Sequence, residues 1–217
     1  MLHLALAVPT DRPLHILCLG AHSDDIEIGA GGTILALLER HPGAHVHWVV
    51  FSALGERAQE ARAGAATFLA KAEKRRVDLH EFRDGIFPDE TTGLKTVFED
   101  IKHGGTPDLI FTHIREDHHQ DHRTIAEMTA NTFRDHLVLG YEIPKYDPDL
   151  GNPNLFRTVD SVHADAKVAA LMAHFATQRS KRWFSPETFR GLMHIRGVQC
   201  ASPTGLAEGF YARKLCF

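Results

Sequence analysis

The sequence predicts an α/β fold, a three-layer αβα, Rossmann-like domain built on a mainly parallel sheet. Two observations carry that expectation. Five short apolar, β-rich runs alternate with segments whose apolar residues recur at helical spacing, and turn residues punctuate the boundaries. Such alternation gives parallel strands with helices covering both faces. The first run, Leu14 to Leu19, leads into a helix predicted over Ile28 to Arg40. His45 to Ser52 comes next, then the Ala-rich helical stretch Glu56 to Lys71. The third and fourth runs are Val77 to Phe82 and Asp108 to Thr112. Ile125, Met128, Thr132 and Phe133 mark the next helix face, before a fifth run from Leu137 to Ile143. Val168, Leu171, Met172 and Phe175 repeat the helical spacing.

The stretch Pro144 to Pro153 is rich in Pro, Asp, Gly and Asn and reads as a loop inside the domain. The segment from Leu155 onward is too short to fold alone; it is expected to add one or two helices and a closing strand near Phe210 to Leu215. Residues 1–217 are therefore read as one domain.

Composition narrows the function classes. With 43% hydrophobic residues the chain can bury a sizeable core, and its net charge of −4 comes without a basic stripe. Nucleic-acid binding, which needs clustered Lys and Arg, is not expected. Cys18, Cys200 and Cys216 are odd in number and form no C-x-x-C pair, which favours a reducing compartment. The N-terminal stretch lacks the charged and apolar regions of a signal peptide, and no run approaches the ~18 apolar residues of a membrane span. The expectation is a cytoplasmic protein acting on a small molecule; nothing in the pattern specifies an oligomeric state.

In open parallel sheets ligands gather at the carboxyl ends of strands. Two such ends carry unusual chemistry here. Leu19 runs into Gly20 to Asp25 (GAHSDD), and Phe111 runs into Thr112 to His122 (THIREDHHQDH). A catalytic zinc site uses three protein ligands and leaves one position open. His22 and Asp25 offer an imidazole and a carboxylate from one turn; the second cluster offers a third ligand, with His119 and His122 not separable by spacing alone. Asp24 is left as a carboxylate able to take a proton from an attacking water. The plainer alternative is a capped helix N-terminus at Asp24 and Asp25 and a solvated loop at His118 to His122. His113, His136, His174 and His194 read as structural or surface histidines. Gly29, Gly31 and Gly32 do not form a dinucleotide fingerprint, because acids occupy the turn where a pyrophosphate would sit; they serve either close packing of the first helix or approach of backbone to the loop.

Ala21 to Thr33 (AHSDDIEIGAGGT) together with His118 to Arg123 (HHQDHR) resembles the LmbE-like, or PIG-L, family of metal-dependent deacetylases. The likeness runs from the first strand to about Tyr141. It implies the LmbE-like fold, zinc held by His22, Asp25 and His122, and Asp24 as general base. It further implies that His119, protonated, steadies an oxyanion or protonates a departing amine. Arg57, in Arg57 to Glu60 (RAQE), matches a residue contacting the sugar. Asp84, in Phe82 to Gly85 (FRDG), matches an acid that holds the catalytic histidine, and Asp84 or Asp121 is expected to orient His119 and raise its pKa. Ser23 stands where the family usually has proline, and Ile26 where it often has glutamate; neither change removes a ligand. The substrate so implied is an N-acetylglucosamine-type amino sugar or its conjugate.

Two donor imidazoles and a carboxylate would also accept Fe(II), Co(II) or Mn(II). Within the enzyme class, the amide of a non-sugar compound or an antibiotic intermediate is the alternative substrate. Outside it, the alternatives are a nucleotide-binding Rossmann-like protein and a non-catalytic metal-binding domain.

Overall fold

A computed structural model describes residues 5–216 of the chain. A seven-stranded sheet runs in the order β3-β2-β1-β4-β5-β7-β6. Five of its strands are parallel: β1 (His15–His22), β2 (His45–Ser52), β3 (Lys74–Leu79), β4 (Leu109–His113) and β5 (Leu137–Tyr141). The far edge is antiparallel, with β7 (Ala207–Ala212) pairing β5 and β6 (Leu155–Thr158) pairing β7. Helices α1 (Asp25–Arg40), α2 (Glu56–Phe68), α3 (Thr91–His103), α4 (Gln120–Thr132), α5 (Ser161–His174) and α6 (Pro186–Gln199) fill the connections.

The two-residue period of the strands divides the core. Ile16 and Cys18 of β1 join Trp48, Phe111, Phe68, Leu171 and Phe175 on one face. Leu17, Leu19 and Ala21 join Phe51, Ile110, Phe98, Ile101 and Ile125 on the other. Helices therefore cover both faces, and the fold is the three-layer α/β sandwich the alternation predicts.

Four details differ from the sequence reading. β3 lies three residues earlier than expected, because Lys74, Arg75 and Arg76 tolerate the exposed sheet edge. The more apolar Phe82 instead packs beside Phe51 and Phe87. Helix α3 and strand β6 have no counterpart in that reading; α3 begins after a one-turn 3-10 helix at Phe87–Glu90, and β6 is a four-residue half-buried edge. The closing strand ends at Ala212 rather than Leu215. Helix α1 starts at Asp25, so Asp24 and Asp25 stand at its N-terminus, where its dipole favours acids.

The glycines of α1 serve packing. A Cβ on Gly29 would sit 2.1 Å from the Tyr141 ring, and one on Gly31 2.6 Å from Phe68. Both rings are fully buried and cannot swing away. Gly29→Ala is thus expected to lower stability by about 1–3 kcal/mol, as overpacking does, despite alanine's better helix propensity; urea unfolding of the variant checks this, and an unchanged midpoint would contradict the packing argument.

Candidate metal centre and active site

The strand order places the switch in winding direction between β1 and β4. Their carboxyl ends, neighbours in the sheet, open into the two polar clusters, the arrangement in which open α/β sheets bind ligands. Tyr141, at the end of β5, braces this end by donating from its hydroxyl to Leu19 O at 2.6 Å.

His22, Asp25 and His122 converge. His22 Nδ1 lies 3.2 Å from His122 Nε2 and 3.3 Å from Asp25 Oδ2, and His122 Nε2 lies 3.5 Å from Asp25 Oδ1. Donors about 2.0–2.1 Å from a tetrahedral zinc stand about 3.3–3.4 Å apart; the two imidazole nitrogens are near that spacing, and Asp25 approaches it with a different oxygen toward each ring. The outer nitrogens fit as well. His122 Nδ1 meets Asp117 Oδ2 at 2.9 Å, and His22 Nε2 meets Asp84 Oδ1 at 3.0 Å and Asp121 Oδ2 at 3.2 Å. Carboxylates there hold the ring protons outward and turn both lone pairs to the common point.

Burial and neighbouring charges shift these donors in different directions. Burial penalises the Asp25 carboxylate, yet the imidazoles of His122, His113 and His22 outweigh it and hold its pKa well below the usual range. Burial likewise opposes charge on His22, but Asp25, Asp121 and Asp84 together raise its pKa well above that of free imidazole. His122, desolvated and next to His113, is pushed down to about 4.

Asp24 is buried beside these donors and bonded at 2.7 Å to the guanidinium of Arg57, which reaches across from the first turn of α2. Burial raises its pKa and Arg57 partly offsets the rise. Arg57 thus belongs to the site, but its visible partner is Asp24. Glu60, one turn on, faces elsewhere: it accepts from Thr177 N at 2.8 Å and Thr177 Oγ1 at 2.6 Å.

His119 stands over the donors, its ring centroid 4.9 Å from that of His22 and 4.6 Å from that of His122. As the N-cap of α4 it accepts the Asp121 N–H through Nδ1 at 3.3 Å. This bond places its proton on Nε2.

Two expectations about the supporting acids are corrected. Asp84 and Asp121 bond to His22 rather than His119. Asp121 is fixed there because its carboxylate also accepts the N–H groups of Gly85 at 2.6 Å and Phe87 at 3.0 Å; Asp84 is 71% exposed at the rim. The pKa of His119 is lowered, not raised, because desolvation and the neighbouring His22 both disfavour its charge.

His113, read from the sequence as structural, lies in the centre. It is buried, its Nε2 accepts the Ala21 N–H at 3.0 Å and stands 3.2 Å from Asp25 Oδ2, and its ring stacks on His122 at 4.0 Å. Asp25, His113 and His122 form a wholly buried set of convergent donors; His22, His119 and His122 form another, and His22, Asp84, His119 and Asp121 a third toward the rim. The available signal is its place as last residue of a β-run, on the same strand face as Leu109 and Phe111. Asp117 is a further site residue that the motif reading does not single out, although it lies inside the polar cluster five residues before His122.

Convergent donors at the switch point of a parallel sheet, with a buried carboxylate held by Arg57 beside them, mark the chain as an α/β enzyme. The sequence profile described as GlcNAc-PI de-N-acetylase matches residues 17–133, and the chain belongs to this family, PIG-L, a family of deacetylases. A protein of Escherichia coli K12, described as the uncharacterized deacetylase YaiS, is 26% identical over 187 residues, covering 80% of this chain and 97% of its own. The N,N'-diacetylchitobiose deacetylase of Pyrococcus horikoshii superposes with a TM-score of 0.68 at 19% identity, over 96% of this chain and 86% of that one. GalB of Pseudomonas putida KT2440, a 4-carboxy-2-hydroxymuconate hydratase, superposes with a TM-score of 0.71 at 19% identity, over 94% and 98%. Both superpositions establish the shared fold. Among the described residues no helix is long and apolar enough to cross a membrane.

Proposed function

We propose that the chain is a zinc-dependent hydrolase that removes the N-acetyl group from an N-acetylglucosamine-type amino sugar or its conjugate. The observation that carries this reading is the convergence of His22, Asp25 and His122 at separations of 3.2–3.5 Å, with Asp24 buried beside them. The family's description and the chitobiose deacetylase support an amino-sugar amide; the similar deacetylases of the A40926 and teicoplanin antibiotics keep an antibiotic intermediate as the alternative.

His22, Asp25 and His122 would hold a divalent cation, which when bound would supply Lewis acidity toward the acetamide carbonyl and lower the pKa of a water. Asp24 accepts that water's proton; Arg57 keeps its carboxylate ionised until then and turns toward the sugar hydroxyls. His119 acts as a neutral donor: with Nδ1 occupied by the Asp121 N–H, its Nε2–H points a hydrogen bond at the developing oxyanion, a contribution of ~3–4 kcal/mol for a well-placed donor. Collapse of the tetrahedral species releases the amine, which takes its proton from Asp24. Asp121 and Asp84 keep His22 in register throughout.

The test is acetate release from a panel of N-acetylated sugars, sugar nucleotides and glycoconjugates, with and without a chelator. Chelator-sensitive release from at least one amino-sugar amide is expected. Release from non-sugar amides only would overturn the substrate, and release unaffected by metal removal would overturn the mechanism. No acetate from any amide, with hydration of an unsaturated tricarboxylic acid instead, would replace the reaction altogether.

A further inference from the structure

The segment 144–153 is fastened to the donor loop at two points. Lys145 places Nζ 3.0 Å from Asp117 Oδ1 and against the carboxylate of Asp149. Asp149 Oδ2 in turn accepts the His118 N–H at 2.7 Å. Asp117 is the acid whose other oxygen meets His122 Nδ1, and its Oδ1 also accepts the His119 N–H at 2.8 Å. A continuous chain of polar contacts therefore runs from Lys145 through Asp117 to His122.

We infer that Lys145 is a positioning residue for the metal centre: it fixes the Asp117 carboxylate so that His122 keeps its proton on Nδ1 and directs Nε2 at the cation. The inference rests on the reading of His122 as a metal ligand. Three observations carry it. Asp117 is 1% exposed, so its charge needs a partner inside the protein. Arg123, which also reaches this loop, donates to the backbone carbonyls of Asp117 and His118, and no hydrogen bond or ion pair joins it to the carboxylate. Lys145 itself is only 10% exposed, held between two acids, and lies four residues beyond the end of β5, the strand next to β4. An anionic, immobile Asp117 makes His122 the stronger ligand, as carboxylate partners of metal-bound histidines do. The loop 144–153 thereby becomes part of the metal site.

The experiment measures Zn²⁺ affinity by competition with a chromophoric chelator, alongside thermal unfolding of the metal-free proteins. Lys145→Met is expected to weaken Zn²⁺ binding about tenfold and Lys145→Arg to stay within about threefold of wild type. Because Lys145→Met also leaves Asp117 without a counter-charge, Phe98→Leu serves as the control: it removes core packing against Phe51, touches no donor, and should lose stability at unchanged Zn²⁺ affinity. If Lys145→Met fails to fold, Lys145→Gln, which retains a donor without the charge, carries the same comparison. Wild-type affinity in the Met or Gln variant overturns the inference and leaves the metal centre standing; equal weakening in Phe98→Leu reduces Lys145 to a structural role and overturns it too. A wild-type protein that binds no Zn²⁺ removes the inference together with the metal reading.

Discussion

Asp24→Asn should lower kcat by about 10²–10⁴-fold, the range of a positioned general base, while the protein keeps its metal. Asparagine has the same shape and still offers Oδ1 to Arg57, whose guanidinium sits 2.7 Å away in the wild type. What disappears is the ability to take a proton. The Asp24 side chain bonds to Arg57 and forms no hydrogen bond or ion pair with His22 or His122, so the three donors should remain in place. Since Arg57 keeps its partner, KM should change much less than kcat. The measurement is steady-state kinetics on protein whose metal content has been verified by elemental analysis. Wild-type turnover at full metal loading would remove Asp24 from the chemistry.

His122→Ala should abolish activity by a different route. Alanine deletes one of three donors and leaves Asp117 buried with Lys145 but without the imidazole it orients. Losing an outer partner of a ligand typically costs 10–100-fold in metal affinity, and losing the ligand itself should cost more than about 100-fold. Metal content after dialysis is expected to fall from near one ion per chain to near none, with turnover falling in proportion. The contrast with Asp24→Asn is the informative part: one variant is dead with its metal, the other dead without it. Unchanged stoichiometry in His122→Ala would show the ion held elsewhere, and the buried trio Asp25, His113 and His122 would be excluded along with the proposed one.

The largest step from sequence to site is the recognition that two strand ends carry ligand chemistry. It is legible because β1 and β4 are bounded by clear changes in character, from apolar runs to clusters of His and Asp. The same signal fails for His113. It terminates a buried β-run and has no polar side chain of charge beside it in sequence, so a strand-end histidine facing the α1 side looks like core. Only the pairing of β4 with β1 sets it against Ala21 and Asp25. The partners of Asp84 and Asp121 are likewise out of reach. Both stand close to His22 because the loop after β3 folds under the N-terminus of α4, where Gly85 and Phe87 bind Asp121.

By itself, then, the order of residues specified which chemistry is present and on which side of the sheet it gathers: period-two burial, helical spacing and strand-end polarity are local properties, written within ten or fifteen residues. Tertiary structure decided which acid stands beside which imidazole, and that a lysine from a downstream loop reaches the Asp117 carboxylate. Those choices depend on angstrom-scale approach between segments separated by about a hundred positions, such as His22 and His122. Such distances arise from strand register and close packing of whole elements, which no short window of sequence contains.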